Sequence, residues 1–312
     1  MFQRFAVPVL VMLFAVAPCV AVAGGPKLDT REVAPGVYAV VGDLGGQSAE
    51  NEGLNANLGF VIGNEAVLVI NSGPSRRVGE ALLGAVQART ALPVKWVVNV
   101  NSQSHYWWGN AVFAAQGAAL LAHGEAVGLM RAQQDAQRAA LDTALGPLFA
   151  GSEAVVPQDL DGERRVIDLG GRTVEIVHFG PAHTPGDVAV WIPDVSAVFA
   201  GDIVYTERLL AVLPISTSAG WVEAFGRLEA LAPRVIVPGH GAPTGLEQAR
   251  RDTLDYLTHM RAAALEQVEA GATPSEAARA IDQSPWSQLE NFELLSPGNA
   301  SRVFLEVEIE AF

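Results

Sequence analysis

Strand-like and helix-like segments alternate in two successive halves, and this order most constrains the fold of the chain. Short apolar runs bounded by Gly, Asn and Pro, which predict strands, lie at residues 36–41, 57–62, 66–70 and 95–100, then at 165–169, 173–178, 189–192, 197–199 and 235–237. Segments with helical periodicity lie at 76–92, 111–116 and 125–145, then at 221–231. The pattern predicts an α+β protein with four layers, αββα, in which two sheets pack face to face with helices outside each.

The C-terminal part is predicted to be mainly helical. Residues 24–245 form the predicted main domain, and residues 246–312 form an extension packed on the same domain, because no linker precedes them. A helix is expected over 246–271, and the cap-like sequence Thr273-Pro274-Ser275-Glu276 predicts the start of another. The last segment, 299–312, fits either a helix or a strand.

The N-terminus has the parts of a secretory signal. Arg4 precedes an apolar stretch over residues 5–16, and Ala21-Val22-Ala23 provides the small residues of a cleavage site before Gly24. The apolar stretch is short for a membrane span, which needs about 20 residues. We therefore predict a signal peptide over residues 1–23, a periplasmic or secreted protein, and no membrane span after processing.

Cysteine usage and net charge exclude several kinds of chemistry. Cys19 is the only cysteine and lies inside the predicted signal, so a processed chain would have no disulfide, no thiolate catalyst and no cysteine-bound zinc. Lys and Arg number 20 against 34 Asp and Glu, a net charge of -14. Such a charge repels phosphate backbones, and nucleic acid is not expected as a partner.

Polar residues follow several of the predicted strands and indicate a metal site. One group is the loop 99–110, and the others are Gly180 to Asp187, Gly201-Asp202 and Gly239-His240-Gly241. Side chains at the ends of neighbouring strands can converge on one point even when they are far apart in sequence.

The order and flanks of these groups resemble the metallo-β-lactamase superfamily over residues 33–244. That family has an acidic turn, an H-x-H-x-D-H motif before Gly-Asn, then G-x-x-H-T-x-G-D, Gly-Asp and Gly-His-Gly. Residues 57–63, 107–113, 201–203 and the tail from Asn299 are similar to its exported branch of quinoprotein-relay zinc metallohydrolases. The resemblance implies a zinc hydrolase and a periplasmic quinoprotein partner.

Three family ligands carry over to this chain, namely His183, Asp202 and His240. The H-x-H-x-D-H motif is substituted. Aligned on Gly109-Asn110, the four motif positions and the aspartate of the early turn are taken by Asn101, Gln103, His105, Tyr106 and Asn71.

These substitutions predict loss of one metal site and survival of the other. Asn101 and Gln103 offer neutral amide oxygens, which suit zinc poorly. His105 keeps a zinc ligand in place of the aspartate, so His105, Asp202 and His240 would hold one zinc ion with a position open for water, assisted by His183. Tyr106 would donate a hydrogen bond to developing negative charge, and Asp202 is the second predicted catalytic residue. The alternative is a decayed pocket that binds no metal.

Two functions follow from this interpretation. The first is a hydrolase with a single zinc ion that acts on an ester, thioester or related small substrate. The second is a non-catalytic protein that binds a small molecule or a periplasmic quinoprotein. The remaining histidines, His123, His178 and His259, are interpreted as structural or solvent-facing.

Overall fold

The computed structural model describes residues 25–160 and 162–312, so the predicted signal peptide lies outside the described residues. The first sheet has seven strands in sequence order, antiparallel from β1 to β4 and parallel from β4 to β7. They are β1 (Thr30–Ala34), β2 (Val37–Val40), β3 (Leu58–Ile62), β4 (Val67–Ile70), β5 (Val94–Val98), β6 (Ala119–Ala122) and β7 (Gln158–Asp159).

The second sheet has five strands in the order β12-β11-β10-β9-β8, and β11 and β12 are its one parallel pair within the described residues. They are β8 (Arg164–Asp168), β9 (Thr173–His178), β10 (Val188–Ile192), β11 (Ala197–Tyr205) and β12 (Val235–His240). The carboxyl ends of β11 and β12 therefore lie at the same edge of this sheet. This placement is the one predicted for two strands whose following residues contribute to one site.

Nine α-helices are found in the described residues, and a π-helical turn at Arg250–Leu254 joins α6 to α7. They are α1 (Arg76–Gln87), α2 (Ser104–Trp107), α3 (Asn110–Ala114), α4 (Gly124–Leu145), α5 (Ser218–Glu229), α6 (Leu246–Ala249), α7 (Asp255–Glu269), α8 (Pro274–Ala280) and α9 (Phe292–Ala311). Short 3-10 turns lie at Gly146–Phe149, Pro193–Val195 and Ser284–Trp286. No helix of the described part is both long and apolar enough to cross a bilayer.

The two sheets and the helices outside them form four layers, and an apolar cluster lies at each of the three interfaces between these layers. Leu68, Ile70 and Val98 from the first sheet meet Val190 and Phe199 from the second in the central layer. The alternate residues of the first sheet pack outward on α1 and α3, and those of the second sheet pack on α5, α7 and α9. The predicted αββα sandwich is confirmed, because both faces of each sheet are buried against another layer.

The last segment is a helix, which settles the alternative left open by the sequence. On α9, Phe304 is fully buried in the cluster that contains Trp221 and Tyr256. The Asn299 side chain also accepts a hydrogen bond from Val212 N at 2.8 Å and donates one to Leu210 O at 2.8 Å. The predicted cap of α8 is present, because Thr273 and Glu276 form a reciprocal capping box.

Candidate metal centre

The predicted site residues come from distant elements of both halves of the fold and lie together. Asn101 follows β5, His105 and Tyr106 lie on α2, His183 lies between β9 and β10, and His240 ends β12. Asp202 differs from expectation, because β11 continues past Phe199 to Tyr205 and the aspartate lies inside the strand rather than after it. The strand continues to pair with β12 as far as Tyr205, and all nine of its residues are buried.

An irregularity in β11 accompanies the position of Asp202. Gly201 has a φ of 52°, and the register with β12 shifts on both sides of it. A bulge of this kind re-aims the side chains beside it. Gly239 opposite is needed for space, because a Cβ there would collide with Asp202 Oδ1 and lie 2.7 Å from the Tyr106 hydroxyl oxygen.

Asp202 is a buried, ionised carboxylate at the centre of the group. Its Oδ2 accepts a hydrogen bond from Asn101 Nδ2 at 2.8 Å, and its Oδ1 accepts one from the Tyr106 hydroxyl at 2.6 Å. Burial alone would raise its pKa, but the three histidines around it and the Tyr106 hydroxyl outweigh burial and lower the pKa of Asp202 to about 2. The carboxylate is therefore charged at neutral pH.

The three histidines beside Asp202 are neutral, because the effect of burial on each imidazole outweighs the attraction of the carboxylate. Burial is the main cause that lowers the pKa of His105 to about 4, lowers the pKa of His183, and lowers the pKa of His240 well below its ordinary value. The 2.6 Å contact of His240 Nδ1 with Asn55 O assigns the proton to Nδ1 and leaves the Nε2 lone pair free. Neutral imidazoles are the form that binds metal.

The distances between these groups fit one bound cation. The Nε2 atoms of His240, His183 and His105 lie 3.5, 3.7 and 4.0 Å from the nearest Asp202 oxygen, and within the described residues His105 Nε2 is buried without a hydrogen-bond partner. Ligand atoms of His105, Asp202 and His240 all lie within 4.8 Å of one another. Tetrahedral zinc with bonds of about 2.1 Å separates its ligands by about 3.4 Å, so these ligand atoms lie slightly farther apart than they would around a bound zinc ion.

Asn101 does not present a ligand to this centre. Its Oδ1 accepts a hydrogen bond from Gln103 N at 2.9 Å, and this contact turns its Nδ2 towards Asp202. An amide NH2 has no lone pair for a metal. The Gln103 side chain makes no hydrogen bond to Asp202 in the described residues, and its buried Oε1 has no partner there.

Sequence analysis missed the side chain of Tyr205 at the centre, and it did not predict the contact of Arg208 with His240. The Tyr205 ring stacks on His240 with centroids 4.8 Å apart, and its hydroxyl oxygen lies 3.5 Å from His183 Nε2. Arg208 Nη1 donates to Gly45 O at 3.0 Å and lies 3.3 Å from His240 Nδ1. Tyr205 escaped notice because the strand was predicted to end at Phe199, which left no reason to align residue 205 with the site.

Asn71 supports the backbone of the motif loop rather than contacting Asp202. Its Oδ1 accepts from Val100 N at 3.0 Å, and its Nδ2 donates to Asn57 O at 3.1 Å. Asn57 in turn donates through Nδ2 to Pro238 O and Gly241 O, on either side of His240. The amide therefore joins the loop of Asn101 to the loop of His240.

Asn71→Asp is expected to lower the free energy of unfolding of the metal-free protein by about 1–3 kcal/mol. An aspartate keeps the acceptor for Val100 N but faces Asn57 O with a second acceptor, inside a buried site. Urea unfolding measures the change. The control is Asn64→Asp, because Asn64 is exposed and its substitution should change the free energy of unfolding by no more than about 0.5 kcal/mol. Equal stability of the two variants would contradict the bridging role of Asn71.

Comparisons with known proteins agree with this geometry. The sequence model of a family described as the metallo-beta-lactamase superfamily matches residues 52–240. Acyl-coenzyme A thioesterase MBLAC2 of Homo sapiens is 32% identical over 110 residues, which are 34% of this chain and 39% of the relative. The alpha subunit of 2,4-dinitroanisole O-demethylase from Nocardioides sp. (strain JS1661) is 29% identical over 79 residues, 25% of this chain and 24% of that one. The matched stretch thus spans about two fifths or less of these relatives.

Two solved structures share the fold. The metallo-beta-lactamase from Pontibacter korlensis superposes with a TM-score of 0.61 at 18% identity, covering 74% of this chain and 99% of that chain. TMB-1 superposes with a TM-score of 0.57 at 16% identity, covering 73% and 96%. At such identity the likeness concerns the fold alone.

Proposed function

Because the chain belongs to the metallo-β-lactamase superfamily, we propose that it is an ester or thioester hydrolase with one zinc ion held by His105, Asp202 and His240. The observation that carries the proposal is the buried His105 Nε2, which has no partner in the described residues and faces the same carboxylate as His240 Nε2. Lone pairs turned towards a carboxylate repel it, and a cation between them removes the repulsion. The 32% identity to a thioesterase over part of its length supports the substrate class.

A zinc ion in this site would make a bound water acidic and polarise a carbonyl oxygen. The protein's own residues would orient the groups around it. Asn101 and Tyr106 hold the two oxygens of Asp202 in place, and Asn55 O fixes the ring of His240. Neutral His183, 3.7 Å from Asp202, is placed to accept a proton.

In this structure the Tyr106 hydroxyl donates its hydrogen bond to Asp202. Burial, the largest cause, raises the pKa of Tyr106 well above its ordinary value, so the hydroxyl stays protonated. The predicted hydrogen bond from Tyr106 to developing negative charge would require the hydroxyl to leave Asp202 Oδ1 during the reaction. The oxyanion role of Tyr106 stays a prediction.

Substrate access requires movement of the segment between β2 and β3, because the site is closed. Of the metal-binding set, His105 is the most exposed at 8%, and Asp202, His183 and His240 are at most 2% exposed. The segment is held over the site by Arg208 at Gly45 O. Within the described residues the Arg208 guanidinium forms no ion pair with a carboxylate, so it would attract an anionic part of the substrate when the segment opens.

The hydrogen bonds of Asp202 also favour a second candidate, a non-catalytic binding protein. Both carboxylate oxygens already accept hydrogen bonds from protein groups, so the structure satisfies Asp202 without a metal. The ligand would then be a small molecule or, following the resemblance to the quinoprotein-relay branch, a periplasmic quinoprotein. Export through residues 1–23 is part of both candidates and is tested by the N-terminal sequence of the mature protein.

Hydrolysis assays on zinc-loaded protein separate the two candidates. Acyl-coenzyme A thioesters and aryl esters are offered to the wild type, to His105→Ala and to His259→Asn, which changes a histidine on α7 whose Nε2 contacts Asp282 O. The hydrolase proposal expects turnover by the wild type and by His259→Asn, and a loss of at least about a hundredfold in kcat/KM for His105→Ala. Stoichiometric zinc without turnover of either substrate class would favour the binding protein.

A further inference from the structure

Two histidines interpreted from sequence as structural lie together with a glutamate outside the candidate metal centre. His123 precedes α4, Glu163 precedes β8, and His178 ends β9. One potential ligand atom from each lies within 4.8 Å of the other two. The rings of His123 and His178 stack with centroids 3.9 Å apart and planes inclined by 14°. Residues distant in sequence thus meet between the first sheet and the second.

His178 is oriented as a metal ligand usually is. Its Nδ1 lies 2.8 Å from Asp187 O, a contact that requires a proton on Nδ1 and leaves the Nε2 lone pair free. That Nε2 lies 3.9 Å from Glu163 Oε2, too far for a hydrogen bond. The backbone bond from His178 N to Glu163 O, 2.8 Å long, keeps the carboxylate beside the ring.

His123 can become the second nitrogen ligand at low cost. Its Nδ1 accepts a hydrogen bond from Glu125 N at the start of α4, but the distance is 3.4 Å. A metal ion lies in the plane of each imidazole that binds it, so one of the stacked rings must rotate before both can bind one ion. The bond lost by rotation of His123 is a long one.

The electrostatic surroundings favour a cation. Burial, and then His178, lowers the pKa of His123, so its imidazole is neutral at pH 7. The carboxylates of Glu163, Asp159 and Glu125 act on the same ring with negative charge. Two imidazoles and a carboxyl group form a ligand set that suits zinc and similar divalent transition metals.

We propose that His123, Glu163 and His178 bind a divalent transition-metal ion of the zinc type at a second, structural site. The ion would join the start of α4, which follows β6 of the first sheet, to β9 and its hairpin in the second sheet. Through Asp187 O it would also steady the loop that carries His183. The proposal is independent of the proposed hydrolysis, because it shares no ligand with the candidate metal centre.

Calorimetric titration of the metal-free mature chain with Zn²⁺ alone tests this site. His123→Asn keeps an oxygen that can cap α4 but removes the imidazole, and Glu163→Gln changes a side chain that is 74% exposed. We expect each variant to lose one zinc equivalent or to bind it at least about tenfold more weakly. His259→Asn, the matched control, should titrate as the wild type does.

The result is read as a difference between variants, so it holds whether or not the candidate metal centre binds zinc. Circular dichroism confirms folding of each variant, and Glu163→Gln decides the question if His123→Asn fails to fold. If His105→Ala and Glu163→Gln each lose one zinc equivalent, and the variant with both changes loses two, the two sites are separate. Zinc stoichiometry and affinity in Glu163→Gln and in folded His123→Asn within twofold of the control would overturn the proposal.

Discussion

His105→Ala is expected to weaken zinc binding at the candidate metal centre by more than about a hundredfold. The reason is that the proposed site rests on three protein ligands, and loss of one leaves His240 and Asp202 to hold the ion. His240→Ala should have a similar effect, because its Nε2 is the nearest of the three histidine nitrogens to the carboxylate, at 3.5 Å. Zinc content after dialysis against a chelator of known affinity measures both.

Two controls give this result its meaning. His259→Ala changes a histidine on α7 whose Nε2 contacts Asp282 O, and it should leave zinc binding unchanged. His183→Ala shows whether His183 binds the zinc ion or only lies beside it. If His183 is a fourth ligand, its removal should weaken zinc binding as His105→Ala does. Unchanged zinc affinity in both His105→Ala and His240→Ala would contradict a metal centre at Asp202 and leave the binding-protein candidate.

Phe304→Ala on α9 is expected to cost about 3–5 kcal/mol of unfolding free energy. Phe304 is fully buried in the cluster of α5, α7 and α9, so its removal leaves a cavity as well as lost apolar contact. Urea unfolding followed by circular dichroism measures the change. The adjacent Leu305→Ala is the matched control, because Leu305 is 44% exposed and its loss should change stability by no more than about 0.5 kcal/mol.

The Phe304 experiment also decides the status of the predicted extension. If residues 246–312 fold as one unit with the second sheet, the whole unfolding transition of Phe304→Ala shifts to lower urea concentration. A separate early transition, with the main one unmoved, would instead show that the C-terminal helices unfold on their own. The shared cluster of Trp221, Tyr256 and Phe304 supports the first outcome.

Much of the fold was predictable because its signals are local. Apolar runs and turn residues predicted β9 over its full observed length, Thr173–His178, and helical periodicity predicted α4 to within one residue. The cap of α8 was predicted from four residues. The short elements β6 and α2 were missed, since four residues are too few to establish a period.

The candidate centre was predictable only in part. The order of motifs named His105, Asp202 and His240 as a set, and the structure brings their ligand atoms within 4.8 Å of one another. Nothing in the sequence indicated that Tyr205 stacks on His240 or that Asn55 O fixes its ring. A backbone carbonyl carries no side-chain signal, and a stacking partner is defined only by packing.

The sequence by itself determined most of the succession of strands and helices, the family and the residue types at the candidate metal-binding positions. Propensity and periodicity are properties of neighbouring residues, and the order of motifs is read along the chain. Only the tertiary structure decided what those residues do. It turned the NH2 group of Asn101 towards Asp202 and placed the Tyr106 hydroxyl where it donates a hydrogen bond to the same carboxylate. It also stacked His123 on His178, which lie 55 positions apart in the chain. The physical reason is that hydrogen-bond partners and burial, which set ligand orientation and protonation, arise when distant segments pack against one another.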